Sequence, residues 1–364
     1  MKPRIDAFYE LSSQLTLMDD EQLDILFAEA AETSGWGKTR TIILGQSKIF
    51  VKRIPVTTRE YDHMFATRNH YNLPTYYHYG IWSAGFGAFR ELIAHIKTTN
   101  WVLSGAIENF PLLYHYRLRP FSGERPAVDM TEHRKYVAYW NSNPNISQYI
   151  LERAAAEYEA VLFLEHFPFV LENWLVTNID KLPKIVADMR DVITFLRQHG
   201  VIHFDIHTDN IMTDGNKPIL TDFGLVLDSQ YDLYEAERAF FAQHTHYDYG
   251  EFLYSVAGHL ADLCRSLPDS QKLEFLRTYD IREGMPYRDI LNILLDNIEA
   301  LYADNVAPID RNYVDTIIKY RPVIGLMHDF ATEMRSTNTK ATEFNNQELQ
   351  RLLHDTDFLN DKIH

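Results

Sequence analysis

A chain of 364 residues with 46% apolar and 24% charged side chains can bury a large core and supports two domains or one bilobal unit. Its 35 basic and 51 acidic side chains leave a net charge of −16. That excludes the basic footprint a duplex binder needs, so no nucleic-acid partner is expected. The single cysteine, Cys264, excludes an intrachain disulfide. With no charged-then-apolar leader pattern and no long apolar span, the expectation is a cytoplasmic protein with no membrane partner.

Residues 3–17 and 20–31 read as helices, the second placing Leu23, Leu26 and Phe27 at helical spacing behind the acidic start Asp19-Asp20-Glu21. Ser34-Gly35-Trp36-Gly37-Lys38-Thr39 follows, then two strand-like runs, Thr39–Leu44 and Lys48–Ile54, joined by a turn at Gly45-Gln46. A helix is expected over Thr57–Tyr71 and a tyrosine-rich strand or loop over Pro74–Ile81. Another helix is expected over Gly85–Ser104 and a strand over 110–118. The proline- and asparagine-rich stretch 119–145 reads as irregular surface. A helix at 146–158 then leads into the apolar run Val161-Leu162-Phe163-Leu164, which Glu165-His166-Phe167-Pro168 breaks. Beyond residue 170 helices dominate, apart from short strands at 201–202, 211–213 and 218–221. The chain is therefore mixed and strand-bearing first, then mostly helical, an α+β pattern.

The chemistry concentrates between His203 and Gly224. Asp214-Gly215-Asn216 is turn chemistry between two short apolar runs, which predicts a hairpin. Asn210 stands at the entry of its first strand and Asp222 at the exit of its second. An amide oxygen and a carboxylate at neighbouring strand ends suit a hard cation such as Mg2+. Asp205, in the loop just before, can accept or orient the proton of an attacking hydroxyl. His203-Phe204-Asp205-Ile206-His207-Thr208-Asp209-Asn210 followed by Asp222-Phe223-Gly224 resembles the catalytic loop and metal-binding tripeptide of the protein-kinase-like superfamily.

That resemblance implies further parts. Leu182, Ile185, Val186, Met189, Ile193 and Leu196 form one helical face ending at Gly200, like the helix that precedes a kinase catalytic loop. Val161–Leu164 looks like the last strand of the small lobe, and the backbone of Glu165 and His166 would then meet adenine. Ile49-Phe50-Val51-Lys52 is similar to the strand whose lysine holds the α- and β-phosphates. Gly35-Trp36-Gly37 is similar to a reduced glycine-rich phosphate cover. A Walker A reading of Gly37-Lys38-Thr39 fails, because it needs glycine where Glu32 stands, with a strand before and a helix after. Glu91 is the favoured acidic partner of Lys52, with Glu60 as the rival. Asp248 either anchors the catalytic loop or is an ordinary acid at a helix start.

The implied architecture is a bilobal kinase-like fold. An N-terminal helical extension (1–34) is followed by an antiparallel-sheet N-lobe with inserted helices (35–164) and a mostly helical C-lobe (165–364). The implied activity is Mg-ATP-dependent phosphate transfer to a hydroxyl on a protein or a small molecule, with Lys52, Asp205 and His207 as catalytic residues. Phe204 and His207 stand where protein kinases carry arginine and lysine, and His207 is similar to aminoglycoside phosphotransferases and choline kinases. The intact Asp-Phe-Gly leans towards an atypical protein Ser/Thr kinase. A small-molecule alcohol kinase and an ATP-binding pseudokinase are the alternatives.

Overall fold

The computed structural model describes residues 2–28, 31–32, 38–121, 125, 127–265, 267–305 and 309–359. Gly35 and Gly37 lie outside the described residues. The chain divides into two compact units. The first is Met1–Pro168 with Ile219–Ala239, and the second is Phe169–Pro218 with Phe240–His364.

The first unit is built on a five-stranded antiparallel sheet. In chain order its strands are Ala31–Glu32, Lys38–Leu44, Ser47–Val56, Leu113–Pro120 and Tyr158–Glu165, and the last of these lies between the third and the fourth. Strand parity decides what each face carries. Lys52 pairs across to Leu162 and Ile54 to Ala160, so all four point to one face. There Ile54, Val56, Ala160 and Leu162 pack against Ala88, Phe89 and Leu92 of the helix Ala88–Leu103. Fully burying side chains the size of Phe89 or Leu92 contributes roughly 1.5–3 kcal/mol each. The same parity aims Lys52 at that helix. Arg53 points the other way and pairs with buried Glu159, beneath Phe27 of the helix Asp20–Ala28.

Three expected elements differ. Pro74–Ile81, expected as a strand or loop, contains the 3-10 helix Thr75–His78. The helix expected over Thr57–Tyr71 stops after Thr58–Tyr61. Phe65 turns left-handed (φ 62°), the Asn69 side chain bonds both the N–H and the C=O of Leu73, and the Thr67 carbonyl is taken by Arg90. The left-handed turn at Phe65, the local Asn69 side-chain bonds and Arg90's claim on the Thr67 carbonyl thus displace the helix pattern. The stretch 119–145, expected to be irregular, contains the helix Met130–Tyr139. Asp129 caps it by accepting from Thr131 and Glu132.

In the second unit the short strand Phe169–Val170 pairs antiparallel with Ile211–Thr213. Leu182–Gln198 is helical and buries the apolar face expected of it. At the centre lies Tyr247–Arg265, with Arg311–Ser336 and Asn346–Asp355 packed on it. Gly250 permits that packing: a β-carbon there would sit 2.7 Å from Met327 Sδ and 3.1 Å from Leu349 Cδ1.

Candidate functional site

In the first unit Lys52 Nζ lies 2.6 Å from Glu91 Oε1 and 3.0 Å from Asp222 Oδ1. Burial alone would discharge this amine, but the Asp222 and Glu91 carboxylates outweigh it and hold the Lys52 pKa above its usual value. Burial raises the Glu91 carboxyl, with the Lys52 ammonium pulling the other way. Asp222 is the most open of the three, its side chain 41% exposed, and it carries a left-handed backbone (φ 61°). That conformation costs roughly 1–2 kcal/mol for a residue with a side chain. Here Asp222 Oδ1 accepts from both Lys52 and the Gly224 amide. The turn that follows is pinned from the same unit. Phe86 N–H donates to Gly224 O (3.2 Å), and His78 Nδ1 lies 2.9 Å from Leu225 O. At Gly85 (φ 88°) a β-carbon would fall 2.7 Å from Gly224 O, so only glycine fits there.

Glu60 serves elsewhere. Its Oε2 accepts from Thr57 N–H at the start of its own short helix, and its Oε1 accepts from Ala88 N–H, the first amide of the Glu91 helix. One carboxylate thereby caps two helix N-termini.

Glu165 ends the last strand. Its N–H is committed to Leu112 O (2.8 Å), and its carboxylate takes a two-pronged ion pair from Arg4. His166 follows, and burial, with the Lys48 ammonium behind it, lowers its imidazole pKa.

The second unit holds the loop His203–Asn210. Asn210 Nδ2 donates to Asp205 Oδ2 (2.9 Å) and to Asp205 O (3.1 Å), so the amide end turned away from Asp205 is the oxygen, the atom a hard cation takes. His207 Nε2 lies 3.7 Å from Asp205 Oδ1. The loop backbone is gripped by one side of the helix Tyr247–Arg265. Asp248 accepts from the N–H groups of His203 (2.8 Å) and Phe204 (2.9 Å), and Glu251 from that of Ile206 (2.9 Å). Ser255 accepts from that of Thr208 (2.9 Å). Phe204 is left-handed (φ 64°), uncommon for an aromatic residue. The two Asp248 bonds, at roughly 1 kcal/mol each, offset that strain. Its fully buried ring packs among Phe240, His244 and Tyr247. Burial pushes the His244 imidazole down to about 4, so it stays neutral in that apolar setting.

Burial pushes the Asp248 carboxyl up to about 7, against the pull of the two amides it accepts from. Glu251 is raised well above the usual range by burial, then by the charges of Asp205 and Asp248. Glu172 grips the loop as well, bonding Thr208 Oγ1 with one oxygen and His259 with the other. Burial would raise its pKa, but His259 and Thr208 bring it down. Glu251, Ser255, Glu172 and Arg4 are not among the residues expected from the sequence. The spacing 248, 251, 255 is a helical stripe visible in the sequence, whereas nothing local marks Glu172 or Arg4.

Among the described residues no group of three or more His, Cys, Asp or Glu side chains could hold a metal ion by itself. Mg2+ characteristically takes one or two protein oxygens together with nucleotide phosphates, and Asp222 and Asn210 are of that type. No described helix is long and apolar enough to cross a membrane.

No family model matches the chain. It is similar to the serine/threonine-protein kinase csk1 of Schizosaccharomyces pombe, 28% identical over 138 residues, which are 37% of this chain and 45% of that protein. The matched stretch thus spans less than half the length of its curated relative. The similarity supports kinship with the kinase-like superfamily and, at that level, phosphotransferase chemistry. The α+β build with small antiparallel sheets is consistent with it.

Proposed function

We propose that this protein is a Mg-ATP-dependent phosphotransferase that phosphorylates a hydroxyl, acting as an atypical protein Ser/Thr kinase. One observation carries the reading: a buried lysine held at full charge between Glu91 and Asp222. A structural lysine gains little from such burial, because the cost of removing charges from water offsets most of what buried ion pairs return. A lysine that must meet phosphate needs that fixed, charged state.

In this reading Lys52 holds the α- and β-phosphates, and Glu91 keeps its ammonium in place. The backbone at Glu165 and His166 meets adenine. Asp222 and Asn210 are the oxygen donors for Mg2+, which neutralises phosphate charge. Asp205 orients the attacking hydroxyl and takes its proton. The loop carrying Asp205 is gripped through four amides, which suits a group that must be held to a fraction of an ångström.

A second reading, transfer to a small-molecule alcohol, is favoured by His207, whose imidazole lies beside Asp205 where protein kinases carry lysine. Incubation with γ-labelled ATP separates the two. Label in protein substrates supports the first, and label only in a metabolite pool supports the second. Mg-ATP binding without any transfer would overturn both.

A further inference from the structure

The amino-terminal helix Lys2–Leu17 lies against the strand Leu113–Pro120, burying Leu11 and Leu15 and setting Phe8 beside Tyr114. That packing accounts for the helix being there. It does not account for Arg4, whose guanidinium reaches Glu165, which the phosphotransferase reading places at adenine, and two carbonyls of the segment 108–110.

Its Nε and Nη2 donate to Glu165 Oε1 (2.8 Å) and Oε2 (2.6 Å), a bidentate pair in which both side chains are largely buried. Its Nη1 donates to Glu108 O and its Nη2 also to Phe110 O, both at 2.8 Å. The carbonyl between those two, Asn109 O, accepts from Leu220 N–H (2.9 Å), two residues before Asp222. The Phe110 ring stands 6.1 Å from that of Phe223. Glu165 Oε2 also accepts from Leu112 N–H, closing the link between the two segments. A planar fork engaged through Nε, Nη1 and Nη2 holds its partners in one geometry, which a lysine could not do.

We propose that Arg4 is a positioning residue for the nucleotide. Through one guanidinium the amino-terminal helix fixes the strand end at Glu165 and the segment 108–112, to which the strand leading to Asp222 is bonded. This rests on the phosphotransferase reading, since it is that reading which gives Glu165–His166 and Asp222 their roles.

The test uses full-length protein and Mg-ATP, measuring Kd, KM and kcat alongside the melting temperature. Arg4→Met should raise Kd and KM for ATP about tenfold while kcat at saturating ATP stays within about twofold. Glu165→Gln should do the same, and the double variant should be no worse than the weaker-binding single one. Arg4→Lys keeps the charge and the fold but loses the fork, and should raise Kd about threefold. Arg4 variants that melt lower yet bind Mg-ATP as wild type does overturn the inference, as do Arg4 and Glu165 effects that simply add. Should Arg4→Met fail to fold, an unchanged Kd in Arg4→Lys overturns it equally. Wild-type protein that binds no Mg-ATP overturns the phosphotransferase reading itself and this inference with it.

Discussion

The Lys52 cluster of the first unit and the His203–Asn210 loop of the second solve one problem in opposite ways. Each must keep at least one carboxylate buried from water. Around Lys52 the acids Glu91 and Asp222 share a cation, so charge is matched by charge. Around the loop Asp248 and Glu251 accept backbone amides and hold their protons more tightly than usual, while Asp205 Oδ2 accepts from the Asn210 side chain. A charge-matched cluster is sensitive to losing any one charge. An amide-satisfied cluster is sensitive to pH and to backbone geometry. The two regions therefore call for different perturbations.

The largest effect is expected at Asp222. Asp222→Asn removes a charged oxygen from a proposed Mg2+ site and should lower turnover by about a thousandfold. Its side chain is partly exposed, so thermal melting should stay near wild type. Wild-type-like turnover would break the catalytic assignment. Lys52→Met comes next. It leaves two carboxylates facing each other without a cation, so turnover should fall about a hundredfold and the melting temperature should drop as well. A severe loss of stability with normal residual activity would mean the lysine is structural.

Glu91 and Glu60 sharpen the comparison within one unit. Glu91→Gln weakens the hold on Lys52 and should lower turnover about tenfold with a small change in melting. Glu60→Gln strips charge from two helix N-termini, and should cost about 1 kcal/mol of stability while turnover persists. The reverse pattern in paired melting and rate measurements would exchange their roles.

The loop should answer to pH instead. The folded Asp248 carboxyl titrates at about 7, above the unfolded value of about 4. The folded state therefore binds an extra proton between those values, and this group's contribution to stability declines as pH rises from about 4 to about 7, then levels off. Asp248→Asn should flatten that slope in denaturant titrations across the range. Parallel slopes for variant and wild type would show that Asp248 is not the group responsible.

The smallest effect expected is none at all. Left unpaired, the acids of the segment after Gly224 would repel an added phosphate. They are in fact engaged: Asp228 by Lys97 (2.5 Å), Asp232 by Arg68 (2.8 Å) and Glu237 by buried Arg90 (2.7 Å). Asp228 and Glu237 hold the segment to the helix carrying Glu91, Asp232 holds it to the loop at Arg68, and Phe204 offers no charge to a phosphate. Phosphatase treatment should leave turnover unchanged. Silencing by phosphatase, reproduced by substituting Ser229 or Thr245, would overturn this.

Much of this was legible in the sequence, because its signals are local. Alternating apolar residues mark the strands around Lys52, and a repeating stripe marks the helix Leu182–Gln198. The order His203-x-Asp205 to Asp222-Phe223-Gly224 resembles the catalytic loop and tripeptide of the kinase-like superfamily on sequence alone. The sequence also offers both Glu60 and Glu91 to Lys52. What decides between them is a strand face opposite a particular helix, together with two amide ends that claim Glu60, and neither is a local property. The same holds where the helix expected to reach Tyr71 stops at Tyr61, since the competing partners come from residues such as Arg90. The left-handed backbones of Phe204 and Asp222 persist only because Asp248 and Lys52, distant in the chain, supply compensating bonds. Local propensity sets which elements form. Which charges meet is set by through-space distances, and those exist only once the chain has folded.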